Sequence, residues 1–200
     1  MTDIFVRDSH NHSIDLLIRE LLKSHQQQDF CNSNKQVIIK ILVEEMLRSR
    51  PICRPYRNGG LFGIYQETYK QLEAQLRDDL SQKLETDNLP TIQVREWATA
   101  IRNQVIKQVL DDTQLKKLGL SVQKYPVNSE LRRYALNELI EAIRCSNRLC
   151  HPHKSKFSPQ FYEIIYEEAV VETLAYVCTH IDQYDPERGE KKFMNWVNFR

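Results

Sequence analysis

The chain has 200 residues, of which 41% are hydrophobic and 28% are charged, and its formal net charge is +1 at neutral pH. This composition is typical of a globular protein with a substantial core, and the balanced charge excludes bulk basicity, so any nucleic-acid site must be local. Five irregularly spaced cysteines favour free thiols in a reducing compartment. Because no stretch suits a signal peptide or a membrane span, we expect a cytoplasmic protein without membrane contact.

A nearly all-helical first half is predicted from the spacing of its apolar residues. The chain has five glycines and almost no strand-like alternation, which favours an all-α fold. Helices are expected over about 13–22, 35–48, 61–85 and 91–109. The polar, proline-containing stretch 119–128 is the predicted linker, which gives one helical domain over 1–125 and a second over 126–200.

The second half is expected to contain a long helix with one acidic side. Ser158-Pro159 is typical of an N-cap followed by proline at the first helical position, and the helix should reach about Asp182. Its predicted inner stripe comprises Tyr162, Tyr166, Val170, Leu174, Val177 and Ile181. Its other side carries Glu163, Glu167, Glu168 and Glu172, with no Lys or Arg between Pro159 and Asp182. This side is either a solvated acidic face or a docking face for a basic helical partner.

A polar turn joins this helix to a short basic and aromatic helix. Asp185-Pro186 disfavours the α region, and Gly189 allows the chain to reverse. The next helix carries Phe193, Trp196 and Phe199 at three-residue spacing, with Lys191, Lys192 and Arg200 nearby. Aromatic rings beside cations suit stacking on bases and pairing with phosphates. The alternative is that Phe193 and Trp196 are core residues.

The two halves share a pattern at a constant offset of 97 residues. Cys53 corresponds to Cys150, and Tyr65 and Tyr69 correspond to Tyr162 and Tyr166 at this offset. Further matches join Leu42 to Leu139, Glu44 to Glu141 and, with a slip of two residues, Trp97 to Trp196. The shared register favours an internal duplication in which the first half is a degenerate repeat.

Three segments of the second half resemble a known family in their order and spacing. They are Glu168-Ala169-Val170-Val171-Glu172-Thr173-Leu174, Ile181-Asp182-Gln183-Tyr184-Asp185-Pro186-Glu187-Arg188-Gly189 and Phe193-Met194-Asn195-Trp196-Val197. Together they resemble the core helical domain, region 2, of bacterial RNA polymerase sigma factors, especially the small extracytoplasmic-function type. The resemblance covers about residues 130–200 and implies a three-helix unit there, with Val171 where the family has glutamine.

The resemblance implies two contact surfaces. The long acidic helix would bind the coiled coil of the β′ subunit of core RNA polymerase through Glu167, Glu168, Glu172, Thr173 and Asp182. The next helix and its turn would bind the single-stranded non-template strand of the −10 promoter element through Arg188, Lys191, Lys192, Phe193, Asn195, Trp196, Asn198, Phe199 and Arg200. If Phe193 and Trp196 are core residues, Asn195, Asn198 and the cations would face the DNA. An anti-sigma or other regulatory protein is a further implied partner.

Other classes of function have weaker support in the sequence. The chain ends within the predicted DNA-contacting helix, so we expect a domain truncated at its C-terminal end, without a −35-reading domain. Cys145, Cys150, His151, His153 and His180 lack zinc-site spacing, and no nucleotide-binding loop occurs, so we expect no catalytic residue, metal or cofactor. The alternative to a sigma-like initiation protein is a helical interaction module or regulator with a sigma-like fold and no promoter recognition.

Overall fold

The computed structural model describes residues 16, 32–48, 50–85, 94–151, 158–188 and 192–199. Seven α-helices and no strand are present in these ranges: α1 (Asn32–Arg48), α2 (Gly63–Glu85), α3 (Val94–Val109), α4 (Asp112–Gln123), α5 (Glu130–Ser146), α6 (Pro159–His180) and α7 (Phe193–Asn198). The predicted all-α fold is confirmed. The helix predicted over 13–22 lies outside the described residues, apart from Leu16, which is helical.

The chain forms two compact units, and each unit consists of two separate stretches of the sequence. The first unit spans 1–50 and 67–109, and the second spans 51–66 and 110–200. Helix α4 and residues 51–66 precede the predicted domain boundary at residue 125, and both belong to the second unit.

The first unit has a core of aliphatic side chains at helical spacing. Leu72, Leu76 and Leu80 are fully buried at the four-residue steps that the sequence analysis identified on α2. Helix α1 packs on α3. These two helices bury Leu42, Val43, Met46, Ile101, Val105 and Ile106. Burying one amphipathic face of each helix is the main stabilising contribution in this unit.

In the second unit, α4 packs against three other elements. It contacts α5, α7 and the 3₁₀ turn Ile181–Gln183 that continues α6. Its buried side chains are Leu115, Leu118 and Val122. The facing elements bury Leu139, Ile143, Leu174, Val177, Ile181, Phe193 and Val197.

The interpretation of 119–128 as a linker is wrong for its first five residues. Asp111 caps α4 by accepting a hydrogen bond from the Gln114 N–H at 2.7 Å, and the helix continues to Gln123. The irregular connection is therefore only 124–129, where Ser129 caps α5 by accepting from the Arg132 N–H at 3.1 Å. Gly119 is a buried helical residue rather than a loop residue.

Residues 51–66 are attached to α5 through its buried glutamate. The Glu138 carboxylate accepts hydrogen bonds from the backbone N–H groups of Cys53 and Arg54. The Tyr134 hydroxyl donates to the Arg54 carbonyl at 2.6 Å, and the Tyr134 ring packs edge to face on Tyr65 at 5.0 Å. These contacts explain why a segment before the predicted boundary belongs to the second unit.

Two pairs of helices have similar lengths in the two halves of the chain. Helices α1 and α5 both have 17 residues, and α2 and α6 have 23 and 22. Trp97 and Trp196 are each the fourth residue of their helix. The helices that carry these tryptophans differ in length, with 16 and six residues, and the internal duplication stays a prediction.

Among the described residues, none of the helices is both long and apolar enough to span a membrane.

Candidate functional site

Helix α6 begins and continues as its sequence predicts. Ser158 occupies the N-cap in an extended conformation and Pro159 follows at the first helical position. Leu174, Val177 and Ile181 are buried, whereas the middle of the predicted inner stripe, Tyr166 and Val170, is only half-buried. One side of the helix therefore lies on the second unit and the other faces solvent.

The solvent side of α6 is acidic. The four glutamates predicted for this side, Glu163, Glu167, Glu168 and Glu172, are all exposed. Glu168 and Glu172, four residues apart, lie on one stripe of this side, whereas Glu163 is nine residues from Glu172 and faces the opposite way. Thr173, which the resemblance adds to the polymerase-binding set, is half-buried. Helix α6 contains neither Lys nor Arg. These carboxylates can therefore attract a basic partner without competition from cations on the same helix.

Three large apolar side chains share this solvent side, and the sequence analysis missed them. Phe161, Ile164 and Val171 are 54%, 62% and 58% exposed. On a helix, steps of three and seven residues keep side chains on one stripe, and Glu168 lies on the same stripe between Ile164 and Val171. The seven-residue repeat was visible in the sequence. Val171, noted there only as a departure from the family pattern, belongs to this stripe.

Asp182 has an intramolecular partner. Its carboxylate lies 2.6 Å from the Arg132 guanidinium, whose side chain is only 9% exposed. Arg132 also donates to the carbonyls of Val122 and Tyr125, so it joins α5 to the end of α4 and to the residues after α6. Asp182, which the resemblance assigns to polymerase binding, thus also contributes to the fold.

The Asp-Pro turn after α6 is stabilised by a hydrogen bond within the turn and by hydrogen bonds from a side chain of α4. The Asp185 carboxylate accepts from the Glu187 N–H at 2.9 Å, as expected for an Asx turn. The Gln123 side-chain amide donates to the carbonyls of Ile181 at 2.7 Å and Tyr184 at 2.8 Å. Arg188 is exposed at the end of the described part of this turn, while Gly189 lies outside the described residues.

The aromatic residues of the turn and α7 have different environments. Phe193 is fully buried, Trp196 is half-buried and Phe199 is 84% exposed. The Trp196 ring packs against Tyr176 and Tyr184, with centroids 5.9 Å and 5.4 Å away. Phe193 is therefore a core residue with no ring face open to a base in this conformation, which favours the second of the two sequence interpretations at this position.

The two asparagines of α7 are both half-buried. The Asn198 side-chain amide binds the segment that follows α5. Its oxygen accepts a hydrogen bond from the Cys150 N–H at 3.0 Å, and its nitrogen donates to the Arg148 carbonyl at 3.0 Å. Both polar atoms are thus used inside the protein, so Asn198 is better placed for packing than for DNA contact. Lys192 is exposed, whereas Lys191 and Arg200 lie outside the described residues.

Helix α4 contacts the start of α7 directly. The Asp112 carboxylate accepts hydrogen bonds from the backbone N–H groups of Phe193 at 3.0 Å and Met194 at 2.8 Å. A Cβ atom added to Gly119 would lie 2.7 Å from the Phe193 ring, closer than carbon atoms can approach. Gly119 is therefore required for the close packing of Phe193 on α4.

The buried phenol beside α7 carries no charge at neutral pH. Burial raises the pKa of Tyr184, and the carboxylates of Asp112, Asp185 and Glu187 raise it further. Formal charge near α7 therefore comes from the surrounding carboxylates and exposed cations. In the described ranges, no group of three or more His, Cys, Asp or Glu side chains is arranged to hold a metal ion.

Comparison with protein-family models, with curated proteins and with solved structures finds no match.

Proposed function

We propose that this chain is a sigma-factor-like transcription initiation protein. The solvent side of α6 binds the coiled coil of the β′ subunit of core RNA polymerase. The turn 185–188 and α7 bind the single-stranded non-template strand of the −10 element. The observation that carries the proposal is the composition of the solvent side of α6, where the exposed carboxylates of Glu168 and Glu172 lie beside an exposed apolar stripe.

The polymerase contact requires a partner that is both basic and apolar. Exposed carboxylates steer a cationic partner, and large apolar side chains supply the buried centre of a stable interface. A coiled coil with basic residues beside its apolar seam has this combination. Glu167, Glu168 and Glu172 are the charged contacts in this proposal, with Phe161, Ile164 and Val171 as the apolar ones.

The DNA contact is proposed for the exposed residues around α7. Arg188 and Lys192 are exposed cations that can pair with phosphates, and the exposed Phe199 ring can stack on an unpaired base. Asn195 and the half-buried edge of Trp196 complete the described part of this surface. Phe193 and Asn198 are assigned to packing, and Lys191 and Arg200 remain sequence-based members of the set.

The polymerase contact is tested by reversing two charges on α6. We expect the pair Glu168→Lys and Glu172→Lys to weaken binding to core polymerase by at least about tenfold, because like charges would face the basic partner. Both side chains are exposed, so helicity should not change. Pull-down and titration with core polymerase measure the effect.

The control has the same change in net charge at a different surface. Glu44 on α1 and Glu67 on α2 are also exposed, so Glu44→Lys with Glu67→Lys should leave polymerase binding intact. Equal binding by the α6 variant and the wild type would remove the polymerase proposal. Capture of a different helical partner through α6, without polymerase, would favour the interaction-module alternative.

A further inference from the structure

The first turn of α7 has no cap of its own. Lys192 occupies the N-cap position and makes no side-chain cap hydrogen bond. A lysine side chain has no acceptor, and its positive charge is unfavourable at the positive end of a helix. Helix α7 has six residues, far fewer than an isolated helix needs to be stable in water. Its geometry must therefore be imposed by other elements.

The missing cap is supplied by a different helix. Asp112 in the first turn of α4 accepts from the first two backbone N–H groups of α7. Its bond to the second of these, the Met194 N–H, is one that an N-cap side chain would make. Its negative charge also offsets Lys192 at the same end of α7. Asp112 lies 81 residues before Phe193, so no local sequence pattern indicates this contact.

We propose that Asp112 is a positioning residue that allows a lysine at the N-cap of α7. Lys192 then remains available for a phosphate, while the carboxylate from α4 maintains the helix and the direction of its exposed face. This role rests on the proposed function for the identity of the ligand, single-stranded DNA. The capping role itself can be measured without DNA.

Amide hydrogen exchange of the whole chain tests the capping role. Asp112→Ala should speed exchange of the α7 amides about fivefold or more, the usual effect of losing an N-cap. Asp111→Ala is the matched control, because that neighbouring carboxylate caps α4 instead. It should leave the exchange of α7 relative to the rest of the second unit unchanged.

A second substitution separates positioning from general loss of stability. Lys192→Ser gives α7 a local N-cap, so adding it to Asp112→Ala should restore slow exchange in α7. Affinity for a single-stranded −10 oligonucleotide should fall about fivefold or more in Asp112→Ala, and Lys192→Ser should not restore it because the cation is lost.

The outcomes distinguish this role from the proposed function. Unchanged exchange of α7 in Asp112→Ala, or no recovery when Lys192→Ser is added, would overturn the capping role. If wild-type protein does not bind the oligonucleotide but exchange responds as expected, Asp112 positions α7 and the DNA function is wrong.

Discussion

Arg132 and Glu138 are buried charged residues on α5, and both have specific partners. Arg132 pairs with Asp182 after α6, while Glu138 accepts hydrogen bonds from the backbone at 53–54. An ionised group costs free energy when it leaves water, so such residues are tolerated only where their hydrogen bonds are satisfied. At the scale of single residues, these two side chains join three separate segments of the second unit.

Tyr65 gives a pH-dependent prediction. Its hydroxyl shares a hydrogen bond with Ser121 at 3.0 Å, and burial raises its pKa well above the ordinary value of 10. Tyr65→Phe should lower the free energy of unfolding at pH 7.5 by about 1 kcal/mol, because the hydrogen bond is lost.

Alkaline pH should reduce the difference in free energy of unfolding between the wild type and Tyr65→Phe. Unfolded tyrosine loses its proton near pH 10 and folded Tyr65 only well above that, so the wild type loses stability as pH rises above about 10. Tyr65→Phe lacks this contribution. Urea denaturation at pH 7.5 and 10.5 measures the gap, and a gap that stays constant or widens would show that Tyr65 is not held neutral by the fold.

Helix α6 has two faces with separate roles. One face fixes the helix to the second unit through Leu174 and Val177, and the other presents carboxylates and apolar side chains to solvent. Since the apolar stripe is exposed, it contributes little to folding. Ile164 and Val171 are exposed enough to contact a partner.

The two faces of α6 respond differently to substitution. Ile164→Gln with Val171→Gln should change the free energy of unfolding by no more than about 0.5 kcal/mol per site, because both side chains are exposed. The same pair should weaken polymerase binding at least about tenfold if the stripe lies at the interface centre.

The buried face provides the comparison. Leu174→Ala should lower the free energy of unfolding by about 2–5 kcal/mol, since Leu174 is 4% exposed. Calorimetry and polymerase titration measure the two effects. Strong destabilisation by the glutamine pair, or unchanged polymerase affinity, would contradict the assignment of the stripe.

Helix α4 shows what sequence patterns could not predict. Asp111 and the leucines at 115 and 118 are ordinary helix signals, but Gly119 and Pro126 indicated a linker. The glycine is there because the Phe193 ring lies against it, a contact between residues distant in the chain. The need for close packing against Phe193 therefore explains a glycine within a helix, at a position that local propensity assigned to a loop.

At the scale of the whole molecule, the helices could be predicted where their sequence signals are local. The bounds of α1, α2, α5 and α6 follow from apolar periodicity and from caps such as Ser129 and Ser158. The acidic side of α6 was also predictable. The core position of Phe193 was one of two interpretations of its spacing. The hydrogen bonds of Asn198 and the attachment of 51–66 to the second unit depend on long-range contacts, for which a single sequence has no periodic signal.

In the proposed function, α6 and α7 form one unit with a polymerase-binding face and a DNA-binding face. The most direct measurement is a fluorescence anisotropy titration of the full chain with the single-stranded non-template −10 oligonucleotide across a salt series. The logarithm of the binding constant should fall linearly with the logarithm of the salt concentration, with a slope of roughly −0.7 per phosphate contact. Lys192→Ala should make this slope shallower by the amount that corresponds to about one contact. No binding at low salt, or equal affinity for the template strand with an unchanged slope in Lys192→Ala, would contradict the account.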